Sequence, residues 1–212
     1  LQSVGQVDVL VPCATSNIGY DGNKPAKDVS TASMTEMYTV NVLGLFHIVR
    51  EFMALPSTAS GGPKSVIHVS SAAAQLVVPG GSAYCSTKAA ANQLITHFGY
   101  DDPKGNVKFY SYHPGAILTD LAKENMTEEM AKLDWEDGEI ARDRVCTVFG
   151  RFADEMDLAE KLPGDFAVWL AGPEADFLTG RFVWAQWDVD ELIGMKEKVA
   201  QDPSLLTIGL VK

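Results

Sequence analysis

An open, mostly parallel α/β sheet flanked by helices is the fold class this sequence predicts. Strand and helix signals alternate along the chain, as parallel sheets with crossover helices require. At 212 residues the chain can bury one substantial core, so a single domain over 1–212 is expected. No internal repeat or low-complexity tract interrupts it.

The elements follow in order. Val7–Val11 reads as the first strand, and a loop from Gly19 to Lys27 leads to a helix from about Thr31 to Leu55. Pro56 to Pro63 is a turn, followed by a strand running Ser65-Val66-Ile67-His68-Val69-Ser70. A connection from Gln75 to Gly81 precedes an alanine-rich helix, Ser82 to Thr96. Val107 to Tyr112 is a strand ending at His113-Pro114-Gly115. Helix Asp165 to Ala171, strand Arg181 to Trp184 and helix Glu191 to Val199 complete the pattern.

A net charge of -11 argues against nucleic acid and against anionic membrane surfaces, because neither would meet a basic face. No run of about 18 apolar residues predicts a transmembrane helix. Cys13, Cys85 and Cys146 are odd in number and lack metal-ligand spacing, so no metal site and a reduced, cytoplasmic setting are expected.

The chemistry concentrates at Tyr84 and Lys88. Four residues is just over one helical turn, so both side chains share a face. An ammonium beside a phenol favours phenolate and suits the tyrosine to proton transfer. Tyr-x-x-x-Lys also occurs at Tyr20/Lys24 and Tyr100/Lys104, but there it spans Asp-Gly-Asn and Asp-Asp-Pro, which do not continue a helix. Only the middle pair lies in a helix, with a serine at the end of the preceding strand.

These residues resemble the short-chain dehydrogenase/reductase family. The match reads Asn41-Val42-Leu43-Gly44, Val69-Ser70-Ser71, Tyr84-Cys85-Ser86-Thr87-Lys88 and Pro114-Gly115-Ala116-Ile117-Leu118-Thr119, and covers about residues 6 to 190. Val107–Gly115 and the tail from Gly180–Trp184 to Asp188–Glu191 are similar to fungal members. The resemblance implies a Rossmann-like doubly wound sheet and an NAD(P)-dependent oxidoreductase acting on a carbonyl/alcohol pair. Tyr84 would be the acid/base, Lys88 would tune it and hold the nicotinamide ribose, and Ser71 would polarise the substrate oxygen. The family's thirteen-residue interval to the tyrosine selects Ser71 over Ser70. Asn41 would anchor a water leading to Lys88. Ala14 would border the cofactor, and Pro114, Gly115, Ile117 and Thr119 would line its nicotinamide. The helices carrying Asn41 and Tyr84 would pair subunits in a homodimer or homotetramer, with small Ala89–Ala91 permitting close approach.

Two departures from the family follow. The glycine-rich pyrophosphate turn of the type Gly-x-x-x-Gly-x-Gly is not in this sequence, so Val7–Val11 looks like the family's fourth strand and the fold is expected to be N-terminally incomplete, strands 4 to 7. Its outer side would be an exposed apolar edge. Pro12-Cys13-Ala14-Thr15 stands where Asn-Asn-Ala-Gly is usual, and threonine is bulkier than glycine beside a cofactor. NAD and NADP are not distinguished, because the residues that choose between them follow the second strand. A rival reading is a non-catalytic scaffold of the same fold that binds no dinucleotide; another is a member that isomerises or eliminates without net redox change.

Residues 120–161 read as a substrate lid or insertion, acidic with scattered apolar residues. His47, His68 and His97 read as core or surface residues, and His113 as a positioning residue. Asp188 and Asp190 read as helix caps, and Trp184 and Trp187 as packing residues.

Overall fold

The computed structural model describes residues 6–18, 24–56, 62–77, 80–115 and 161–209. Four strands lie in the order β1 (Val9–Leu10), β2 (Lys64–Val69), β3 (Val107–His113) and β4 (Phe182–Trp184), and every neighbouring pair is parallel. Chain order equals spatial order, so each crossover moves one strand sideways. All four C-terminal strand ends therefore lie along one rim, where open α/β sheets bind ligands.

Both faces are covered. On one, α2 (Leu45–Met53) and α3 (Ser82–Tyr100) pack Leu45, Val49, Phe52, Ala91 and Ile95 against Val66, Val107 and Phe109. On the other, α4 (Leu162–Ala171) brings Phe166, Ala167 and Leu170 onto Ile67, Tyr110, Tyr112 and Val183. Alternate residues of β2 and β3 thus feed opposite cores, which is the period-two rule of a strand buried on both sides.

The structure revises several boundaries. The helix expected from Thr31 to Leu55 is α1 (Thr31–Tyr38), a π-helical stretch (Thr39–Gly44) and then α2. Thr39 Oγ1 donates to the Thr35 carbonyl at 2.7 Å, a back-bond that bends helices. The wide turn carries Asn41, which is buried. Helix α3 runs one turn beyond Thr96, because Phe98 stacks on Phe109 (6.1 Å) and only Pro103 closes the sequence to helix. The helix expected from Glu191 to Val199 is two, α5 (Val189–Gly194) and α6 (Lys196–Gln201). Asp188 caps α5, accepting from the Asp190 and Glu191 amides, while Asp190 itself lies inside the first turn.

Strand β1 is shorter than Val7–Val11 and pairs only with β2 among the described residues. Val9 in this strand and Val11 just after it are each 40% exposed, and among the described residues no strand pairs with the outer edge of β1.

Lys64 opens β2 in an unexpected role. It is buried, and its Nζ donates to the Phe52, Met53 and Leu55 carbonyls at 2.8, 3.1 and 2.7 Å. Those carbonyls lie at and just past the end of α2; the Phe52 carbonyl also accepts from the Leu55 amide, and the ammonium adds a donor there and meets the helix's negative dipole end. Lys64→Met preserves the stem and removes the donors. We expect it to lower stability by about 1–3 kcal/mol, read as a lower urea midpoint; an unchanged midpoint would refute the capping role.

Candidate active site

Lys88 and Tyr84 share the inner side of α3, and the Lys88 Nζ sits 5.6 Å from the Tyr84 ring centroid. Lys88 is 3% exposed, and its Nζ donates to the Val69 carbonyl at 3.3 Å. Burial pulls its pKa down to about 8, partly offset by the Cys13 thiol nearby. Lys88 is therefore still mostly cationic at pH 7, with little reserve.

Val69 ends β2, and Ser71 stands two residues further on. Ser71 is extended (φ -161°, ψ 151°) and caps a short 3-10 turn, Ala72–Ala74, by accepting from the Ala73 amide at 3.1 Å. That turn packs directly against α3. Because Ser71 Oγ accepts in this bond, its own proton is left to donate elsewhere. Ser70, the other candidate, is buried with no partner for its hydroxyl among the described residues.

Asn41 is the most heavily bonded of the site residues. Its Oδ1 accepts from the Ser16 amide (2.7 Å) and Thr15 Oγ1 (3.2 Å), and its Nδ2 donates to the Ser16 carbonyl (2.8 Å) and Thr87 Oγ1 (3.0 Å). Both lone pairs and both N–H groups of the amide are filled by protein atoms. Thr87 Oγ1 in turn donates to the Tyr84 carbonyl at 2.8 Å. One side chain therefore ties the loop after β1, the π-helical turn and the first turns of α3 together.

Thr15 and Thr87 were missed as site residues. Thr15 signalled itself as a departure at a glycine position, and the structure shows its hydroxyl turned to Asn41. Thr87 carried no separate signal, since its partner is 46 residues away.

The remaining predicted residues lie on the same rim or outside the described structure. Ala14 is exposed in the loop after β1, and the neighbouring Pro12 carbonyl accepts from the Val69 amide at 3.2 Å. Pro114 and Gly115 directly follow β3, whose Tyr112 is in register with Val69. Gly115 has φ +97°, a region that disfavours any side chain. Ile117, Thr119 and residues 120–160 of the expected lid lie outside the described residues, as do Tyr20 and Cys146. His113 is buried against Trp184 (ring centroids 4.7 Å, edge to face), and burial holds its pKa down to about 4. His68 is also buried; burial and the Lys88 charge lower its pKa to about 3. Among the described residues no cluster of three or more metal-ligating side chains occurs, and no helix is long and apolar enough to cross a membrane.

A family model for short chain dehydrogenases matches residues 1–130, more than half of the chain. The chain belongs to the short-chain dehydrogenase/reductase family. It is 40% identical over 211 residues to the short chain dehydrogenase/reductase AacuD of Aspergillus aculeatus, covering 100% of this chain and 64% of that protein. A second relative, nsrO of Aspergillus novofumigatus, is 40% identical over 215 residues with the same coverage. This family chain therefore spans just under two thirds of the length of these relatives. Among solved structures, it is similar to a 7α-hydroxysteroid dehydrogenase complexed with NADH and 7-oxo glycochenodeoxycholic acid (TM-score 0.63, 25% identity, 86% of this chain and 64% of that one). A short-chain type dehydrogenase/reductase from Mycobacterium ulcerans superposes with TM-score 0.65 at 25% identity, covering 85% and 59%.

Proposed function

We propose that this chain carries the catalytic part of an NAD(P)-dependent oxidoreductase that interconverts a carbonyl and an alcohol by hydride transfer. The observation that carries the reading is the Lys88–Val69 hydrogen bond. It docks the helix bearing Tyr84 onto the strand end bearing Ser71, at the rim where such sheets take ligands.

Tyr84 acts as the acid/base, giving its proton to the nascent alkoxide in reduction and taking the alcohol proton in oxidation. Ser71 donates to the same oxygen, so two donors are pre-aimed at the atom where charge develops. Lys88 holds positive charge beside the phenol. It has three N–H donors, of which Val69 takes one, leaving donors for ribose hydroxyls. A nicotinamide, when bound, supplies or accepts the hydride. The residues present fit that group in the N–H donors Lys88 retains and in Thr15 turning its hydroxyl to Asn41, while the Gln186 side-chain amide fills the place a side chain on Gly115 would take. Asn41, whose side-chain amide is filled by protein partners, holds the loop after β1 to the start of α3 in this reading. Pro114 and Gly115 line the nicotinamide in this reading, with Ala14 on the opposite side.

The four strands correspond to strands 4 to 7 of the family fold, and the open β1 edge is the place where the family's first strand would pair. Leu43 and Ile48, 53% and 50% exposed, support a dimer or tetramer through the Asn41 and Tyr84 helices. The free thiol of Cys13 supports a cytoplasmic setting.

Calorimetric titration of the complete protein with NADH and with NADPH tests the cofactor half of this reading. Saturable heat is expected for at least one of them at or below about 1 mM, the upper end of usual enzyme affinities. Silence with both at that concentration would favour the non-catalytic scaffold.

A further inference from the structure

We infer that an ordered internal water occupies the cavity between α3, β3 and β4 and pins the C-terminal segment to the helix that carries Tyr84 and Lys88. The inference stands independently of the proposed reaction. Tyr84, Lys88 and Asn92 follow one another at four-residue intervals along α3, so they share one face. Asn92 is 3% exposed, yet neither its Nδ2 nor its Oδ1 has a partner among the described residues. The same holds for the Ser111 hydroxyl on β3 and for Arg181 Nε at the start of β4.

All three residues line one cavity of about 10 Å3, together with Thr96, Phe182 and Thr207. That is about the space one water needs, and a water also needs two to four polar partners. Each of these buried polar groups, left bare, would cost about 1–3 kcal/mol. Neighbouring groups do not relieve them. Thr96 Oγ1 donates to the Asn92 carbonyl (3.0 Å) and Thr207 Oγ1 to the Ser204 carbonyl (2.6 Å). The Arg181 terminal nitrogens donate to the Pro203 and Val199 carbonyls at 2.6 and 3.1 Å.

The orphaned atoms complement one water in number and polarity. It accepts from Arg181 Nε–H and Asn92 Nδ2–H, and donates to Asn92 Oδ1 and Ser111 Oγ. The link then runs from α3 through Asn92, the water and Arg181 to the Val199 and Pro203 carbonyls. What it holds is a strained segment. Leu206 has φ +58°, in the left-handed region, and its carbonyl accepts from the Phe182 amide at 2.7 Å. A non-glycine residue keeps that conformation only where its surroundings over-determine it.

A crystal structure of the complete protein, at a resolution that orders internal water, is expected to show density within hydrogen-bonding reach of Arg181 Nε and Asn92 Nδ2. A dry cavity, or one filled by another part of the chain, overturns the proposal. Hydrogen exchange at the Phe182 amide reads the pinning. Asn92→Leu should accelerate it by about tenfold, equivalent to losing one such link, and leave the Ser65 amide in β2 unchanged. Should Asn92→Leu fail to fold, Ser111→Ala removes one partner without adding bulk, with a smaller acceleration of the same sign expected. Unaltered Phe182 exchange in a folded variant would refute the clamp.

Discussion

Tyr84→Phe in the complete protein is expected to reduce turnover by about 10²–10⁴-fold or more, the usual contribution of a positioned acid/base, while leaving the fold intact. The substitution removes one oxygen atom from a partly exposed side chain, and the Lys88–Val69 and Thr87–Tyr84 carbonyl bonds do not involve that oxygen. Circular dichroism and the urea midpoint should therefore match the parent within about 1 kcal/mol. Turnover is followed by nicotinamide absorbance with a simple ketone as substrate. Retained activity would remove Tyr84 from the chemistry and with it the mechanism above. Lost activity accompanied by a lost midpoint would instead place the phenol among structural groups.

Stability should fall steeply as pH drops below about 6.5, because two histidines are buried in neutral form. Burial, with the Lys88 charge, lowers His68 to about 3, and burial lowers His113 to about 4. In the unfolded chain both titrate near 6.5. Below that value the unfolded state binds protons that the folded state refuses, so acid favours unfolding. Stability present above pH 6.5 is thus lost progressively as pH falls toward the folded values. Two such groups amount to roughly 3 kcal/mol between pH 6.5 and 5, before most carboxylates begin to titrate. Urea midpoints measured across that window check the slope. His113→Phe keeps a ring against Trp184 and should roughly halve the slope. A flat profile from pH 7 to 5 would show that these imidazoles reach solvent.

The alternation of strands and helices and the Tyr84/Lys88 pairing were legible because each rests on local periodicity, whereas the strand order came from the resemblance to the family. Period two in Ile67-His68-Val69 and period four in Tyr84, Lys88 and Asn92 are properties of adjacent residues. The π-helical turn at Asn41 was not legible, since it answers to Ser16 and Thr87, 25 and 46 residues away. Lys64 likewise carried no signal of burial in the sequence. Its burial depends on α2 ending above it, where three backbone carbonyls accept from its ammonium. His68 read as a core or surface residue and is indeed buried, but its proximity to Lys88 came only with the packing of α3 on β2.

By itself the amino-acid order carried the resemblance to the family, the parallel α/β plan and the shared helix face of Tyr84 and Lys88. The plan and the shared face follow from short-range spacing, which the backbone enforces whatever surrounds it, and the family from motifs matched residue by residue. Tertiary structure alone decided that Thr15, Asn41 and Thr87 form one knot, that Lys64 caps a helix, and that Asn92, Ser111 and Arg181 share a cavity. Hydrogen bonds act over about 3 Å, so partners far apart in sequence are chosen only when the elements bearing them pack.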